Sequence, residues 1–94
     1  MGMTKSVRYR IQKTDRRMNG HQLFSHRIAV YWNEDFLKIR GWFFDTFGPA
    51  CELEFFDLNQ AMKLGYVWAW QSNYNRRDIY VNEAQLSAFV LHNS

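Results

Sequence analysis

The chain has very little cysteine or proline: one of each, with five glycines, in 94 residues. The single cysteine, Cys51, excludes an internal disulfide, so a reducing cytoplasm is the expected location. No apolar run approaches the roughly 20 residues that span a bilayer, and no apolar core follows the first basic residues, so neither a membrane helix nor a signal peptide is expected. No repeat or linker divides the sequence, which predicts one domain.

Apolar residues, by contrast, are plentiful at 47%, with 18% aromatic, a composition that argues against disorder. Charge is unevenly spread. Residues 1–27 hold seven basic residues against Asp15, a balance of +6, while residues 28–94 balance to −3, for a net charge of +3. The asymmetry favours an acidic partner for the first third of the chain, either nucleic acid or an acidic protein surface.

One segment has a readable helix start, apolar face and helix end. Asn33 is a capping residue, Gly48 favours the left-handed conformation that ends a helix, and Pro49 cannot continue one. The pattern predicts a helix over residues 34–47. Its predicted apolar arc consists of Phe36, Leu37, Ile39, Phe43, Phe44 and Phe47.

Three residues of this helix do not fit a simple apolar face. Arg40 projects into the arc, where its stem can lie along the core or its charge can bind an anion. Trp42 projects outside the arc and either covers a loop or anchors a partner. Gly41 costs about 1 kcal/mol relative to alanine inside a helix, which predicts that another group packs closely against it.

Alternating residues predict strands over 7–12, 23–32, 51–56, 66–71 and 78–81, with an Asn19-Gly20 turn in the first hairpin. The acidic strand 51–56 is placed beside the basic strand 7–12 on charge grounds. Asn82 is expected to cap a closing helix over 83–92, and residues 1–6 are expected to be disordered. The order β-β-α-β-β-β-α predicts an α+β fold with a four- to five-stranded, mostly antiparallel sheet and two helices on one face.

Tyr66, Trp68 and Trp70 share one face of a predicted strand. If the helices cover that face the rings are core, and if they cover the other face the rings form an open stacking surface. In the second case the rings would meet either nucleic-acid bases or a partner's side chains, and nucleic-acid binding is the alternative function. Its proposed cations are Arg8, Arg10, Lys13, Arg16 and Arg17, with Tyr66, Trp68 and Trp70 as the stacking rings.

Catalysis finds little support in the sequence. His21, His26 and His92 have no metal-ligand spacing that recruits Cys51, which is expected to be a small buried residue. No metal, cofactor or catalytic residue is therefore predicted, and an enzyme is not expected.

The last third of the chain resembles the ending of a group of small uncharacterised proteins of tailed bacteriophages. There a Trp-rich strand leads to a short strand and a helix of the form E-x-x-L-x-A-F-x-L. The matching residues are Trp68, Trp70, Ile79, Glu83, Leu86, Ala88, Phe89 and Leu91. The resemblance implies a phage protein, acting in the host cytoplasm, that binds a host component.

Together these observations favour a non-enzymatic interaction protein that binds and modulates or inhibits a host protein. The predicted partner-binding residues are Trp42, Tyr74, Arg76 and Arg77, since aromatic and arginine side chains dominate interfaces. A homodimer formed through the aromatic sheet is a variant of this hypothesis, and no membrane partner is expected. Nucleic-acid binding is the alternative.

Overall fold

The computed structural model describes residues 7–18, 23–52 and 65–93. The elements are β1 (Arg10–Lys13), β2 (His26–Val30), α1 (Asn33–Phe47), β3 (Cys51–Glu52), β4 (Trp68–Asn73), β5 (Arg76–Val81) and α2 (Glu83–Asn93). The predicted α+β class and the order β-β-α-β-β-β-α are confirmed. Residues 1–6, the Asn19-Gly20 turn and residues 53–56 lie outside the described ranges.

The five strands form one sheet in the order β1-β2-β5-β4-β3. Four of them pair antiparallel, and the two-residue β3 runs parallel to β4 at the far edge. The mostly antiparallel sheet is therefore confirmed. The placement of the acidic strand beside the basic one is wrong, because β1 and β3 occupy opposite edges.

Both helices pack on the same face of the sheet, as predicted, and this face is called the covered face below. Ile28, Ile79 and Trp70 are register partners across three strands of this face. The buried residues of the covered face and its helices are Val7, Ile28, Val30, Phe36, Ile39, Phe43, Trp68, Ile79, Val81 and Phe89. Burial of so many large side chains is the main favourable contribution to folding.

The end of α1 follows the sequence prediction and its start does not. Gly48 has φ 87°, and its backbone N–H donates to the Phe44 carbonyl at 2.9 Å. The residue before the first turn is Trp32, in an extended conformation and with no side-chain cap. The predicted cap by Asn33 is wrong, because Asn33 already lies inside the helix.

The apolar arc of α1 is rotated from the predicted one. Leu37 and Phe44 are 56% and 43% exposed, whereas Trp42 is half-buried. The cause is α2, which packs on the Trp42 side: the Trp42 ring stacks on His92 at 4.9 Å and lies 5.9 Å from Phe89. Gly41 has open space where a Cβ would be, so the predicted close packing there is wrong.

Asn82 connects two elements instead of capping its own helix with its side chain. Its Oδ1 accepts from the backbone N–H of Ser25 at 3.0 Å, while its backbone N–H donates to Gln85 Oε1 at 3.2 Å. The start of α2 is thereby tied to the residue before β2.

Candidate interaction surface

The sheet face opposite the helices is polar, and it is called the open face below. Ala29, Asp78 and Gln71 are register partners on this face, as are Arg27, Tyr80 and Ala69. At one end Phe24 packs on Ala69 and Tyr80, with Met18 and Leu23 beside it. The rest of the open face carries charged and amide side chains.

Asp78 is the centre of the open face, and its side chain is completely buried. Arg76 Nε donates to Oδ1 at 2.8 Å, Asn73 Nδ2 donates to Oδ2, and Arg27 Nη1 lies 3.6 Å from Oδ2. A buried carboxylate requires such partners, because desolvation of an unpaired charge is very costly. The hydrogen bond that Arg76 donates to Asp78 raises the pKa of Arg76, so this guanidinium stays charged.

Arg27 and Tyr80 lie beside this carboxylate. The Arg27 side chain is 12% exposed, and its Nη2 donates to Gln12 Oε1. Its buried Nε has no hydrogen-bond partner among the described residues. Burial raises the pKa of Tyr80 and the Asp78 carboxylate adds to the rise, while Arg27 opposes it.

A cavity of about 240 Å³ opens on this face. Its lining includes Arg17, Arg27 and Arg76 together with the amides of Gln71 and Asn73. No carboxylate lines it among the residues that the structure describes. Arg17 is held at the surface by an ion pair to Asp15 at 3.0 Å, and this guanidinium lowers the pKa of the Asp15 carboxyl.

Three exposed aromatic residues lie at the other end of β2 and β5, and they are called the aromatic end. Tyr31 and Trp32 follow the last paired residue of β2, and they are 42% and 46% exposed. Tyr74 is fully exposed in the turn between β4 and β5. Tyr31 is near enough to Arg76 to affect the pKa of that arginine.

Arg8 fixes one ring of the aromatic end. Its guanidinium lies 3.8 Å from the centre of the Trp32 ring, and its Nε donates to Asp35 Oδ2 at 2.8 Å. A second contact joins Nη2 to Glu34 Oε1 at 3.3 Å. Arg8 therefore serves to join the chain before β1 to the start of α1, and it is not a free cation.

The four predicted partner-binding residues are only partly brought together. Tyr74, Arg76 and Arg77 lie at the aromatic end, although Arg76 faces the open side and Arg77 the covered side. Trp42 is apart from them, packed between the helices. Tyr31 and Trp32 were missed, because alternation places them in β2 while the structure ends that strand at Val30.

The structure does not support the stacking surface that the nucleic-acid hypothesis assigned to Tyr66, Trp68 and Trp70. Trp68 is fully buried against Phe43, and its Nε1 donates to the Gly48 carbonyl at 2.8 Å. Trp70 is half-buried against Phe36, and Tyr66 is half-buried before β4 begins. The helices cover this face, so Trp68 and Trp70 are core and offer no open stacking surface.

The cations predicted to bind nucleic acid do not share one surface. Arg10 is exposed on the open face, whereas Lys13 is exposed on the opposite side of the same strand. Arg16 and Arg17 are exposed in the turn after β1. These cations follow the edge of the sheet and do not form one flat patch.

Within the described ranges, no group of three or more His, Cys, Asp or Glu residues is arranged to hold a metal ion. None of the helices in these ranges has the length and apolar content needed to cross a bilayer. Comparison with models of known families, with curated proteins and with solved structures finds no significant match. Any function must therefore be argued from the surface itself.

Proposed function

We propose that this chain is a non-enzymatic interaction protein that binds an acidic protein surface through the aromatic end. The observation that carries the proposal is the grouping of three exposed rings, Tyr31, Trp32 and Tyr74, beside Arg76 and Arg77. Large rings and arginines are the side chains that contribute most to protein interfaces, and rings exposed without a partner are unfavourable in water.

The charge at this end supports an acidic partner. Arg76 and Arg77 lie near one carboxylate, that of Asp78, so these three side chains keep a net positive charge. Arg77 forms no ion pair with a carboxylate in the part of the chain that the structure describes. The resemblance to small phage proteins makes a host protein the partner that we propose, with its modulation or inhibition as the result of binding.

The test compares matched variants on the two sides of the molecule. Tyr74→Ala and Arg77→Gln remove an exposed ring and a cation from the aromatic end, while Phe44→Ala and Lys38→Gln remove the same groups from the exposed side of α1. Partners captured on the immobilised wild-type chain are identified, purified and titrated by calorimetry. We expect Tyr74→Ala to weaken binding about tenfold or more and the α1 variants to leave it unchanged.

Equal affinity of all four variants would refute the proposal, as would a partner that binds only the α1 side. Trp42→Ala is not a suitable probe, because that ring packs between the helices and its loss changes stability. Sedimentation equilibrium of the free chain tests the hypothesis of a homodimer. A dimer that Tyr74→Ala dissociates would identify a second copy of the chain as the partner.

Nucleic-acid binding remains the second candidate on one observation. Arg10 and Arg16 are exposed and pair with no carboxylate among the described residues, and Arg17 lies next to them. Anisotropy titrations with single-stranded DNA and RNA test it. Binding that weakens log-linearly with salt, with a slope reduced by about one in Arg10→Gln, would support this candidate. No binding at low salt would exclude it.

A further inference from the structure

The cavity on the open face gathers more positive charge than the pairing of the buried Asp78 accounts for. Three arginines from separate segments line it: Arg17 from the turn after β1, Arg27 from β2 and Arg76 from β5. Like charges repel one another, so gathering three guanidinium groups around one space is unfavourable unless anions offset them.

The carboxylates present offset only part of this charge. Asp78 lies beneath the cavity with no solvent exposure and interacts with both Arg27 and Arg76, and Asp15 pairs with Arg17. Among the described residues, three positive charges therefore meet two negative ones, which leaves one in excess. The excess faces the cavity, because neither carboxylate is part of its lining.

Hydrogen-bond donors are in excess as well. A guanidinium carries five N–H donors, and Arg76 uses its Nε for Asp78, which leaves the terminal nitrogens for another acceptor. The buried Nε of Arg27 has no hydrogen-bond partner in the described part of the chain, so this guanidinium is also not saturated there. The amides of Gln71 and Asn73 add polar groups to the same lining.

The number of arginines distinguishes between classes of anion. A carboxylate presents two oxygens in one plane, whereas a phosphate group presents oxygens in several directions and so can accept from guanidinium groups that converge from different segments. We propose that this cavity binds a phosphate monoester group. Arg76 belongs to both sites, but Arg17 and Arg27 lie outside the aromatic end, so the cavity can be tested at Arg17 without changing the residues of the proposed protein interface.

The chain itself provides a matched pair of variants. Arg17 and Arg16 are adjacent, exposed and in the same turn, but only Arg17 lines the cavity. Arg17→Gln removes a cation from the site and Arg16→Gln removes the same charge from beside it, so the net charge of the chain changes equally in both. Arg17 is largely exposed, so its replacement is not expected to affect folding.

The experiment titrates the full chain with inorganic phosphate, O-phosphoserine and adenosine monophosphate, with acetate as the planar control, and follows backbone amide shifts by NMR. We expect saturable shifts around residues 17, 27 and 76 with the phosphate compounds, about tenfold weaker binding in Arg17→Gln, and unchanged binding in Arg16→Gln. Tighter binding of O-phosphoserine would indicate a phosphorylated peptide as the source, and tighter binding of the nucleotide a nucleotide. The absence of saturation, equal binding of acetate, or equal losses in the two variants would overturn the proposal.

Discussion

The same strands form both faces of the sheet, but different interactions stabilise the two faces. On the covered face, the Phe43 ring contacts the rings of Trp68 and Phe89 at centroid distances of 5.2 and 5.5 Å. On the open face a single buried carboxylate, Asp78, holds Arg27, Arg76 and Asn73. Apolar burial adds up over many contacts, whereas a buried charge depends on a few partners.

This difference between the faces suggests that the covered face serves mainly stability and that the open face and the aromatic end serve binding. The helices close off the buried residues of the covered face, Trp68 among them, so these residues are available only to the fold. The aromatic end keeps exposed rings in contact with water, and the open face carries cations around its cavity. Substitutions on the two faces should therefore differ both in the size of their effects and in what they affect.

The largest expected effect is on the covered face. Phe43→Ala removes a fully buried ring and leaves a cavity among Trp68, Phe47 and Phe89, which should lower the free energy of unfolding by about 3 to 5 kcal/mol. The neighbouring Phe44 is 43% exposed, so Phe44→Ala should cost less than about 1 kcal/mol. Urea denaturation followed by circular dichroism measures both. Equal losses would mean that α1 does not pack as described.

The next largest effect is expected on the open face, where a substitution of Asp78 tests whether this face also contributes to stability. Asp78→Ala leaves Arg27 and Arg76 without their shared carboxylate and should cost about 3 kcal/mol. Asp45→Ala, at an exposed position of α1, is the control and should stay within about 0.5 kcal/mol. A loss at Asp78 no larger than at Asp45 would show that the carboxylate is not buried, and the comparison of the faces would fail.

The covered face was the more predictable from sequence, because period-two alternation in β2, β4 and β5 places its large apolar side chains together on one side of the sheet. Burial itself does not alternate, since consecutive residues are buried in all three strands. The alternation of Trp68 and Trp70 identified a ring face, but it did not say which face the helices cover. The rotation of α1 was missed because helical spacing alone locates Leu37 and Phe44 with the other apolar residues. The rotation of α1 about its axis is decided by the packing of α2 against Trp42.

The open face was much less predictable. Asp78 is a lone acid in a strand pattern, and its burial depends on Arg27, which is 51 positions earlier in the chain and reaches it only through the β2–β5 register. The cavity likewise combines residues of a turn and three strands. Long-range pairing of this kind has no periodic signal in the sequence, so the three arginines were not recognised as a group.

A smaller effect is expected on the pH dependence of stability, and it tests the burial of Tyr80 on the open face. Burial raises the pKa of Tyr80 in the folded state, so between the unfolded and folded values the native chain binds more protons than the unfolded chain. The stability that Tyr80 contributes is therefore complete below the unfolded value of about 10 and is lost as the pH rises above it. Tyr80→Phe should reduce this alkaline loss in urea titrations from pH 8 to 11. Tyr74→Phe, at the fully exposed ring, should leave it unchanged, and an equal change in both variants would contradict the assignment.

The smallest expected effect is a gain in stability on the helical layer. Gly41 lies inside α1 with open space at its missing Cβ, so alanine there meets no neighbour and lowers the conformational entropy of the unfolded chain. We expect Gly41→Ala to raise the free energy of unfolding by about 0.5 to 1 kcal/mol. Gly48→Ala is the opposite control, because φ 87° at the end of the same helix strains any residue with a Cβ and should lower stability. A destabilising Gly41→Ala would mean that a group absent from the described residues packs against the helix there, and that the outer side of α1 is not a free surface.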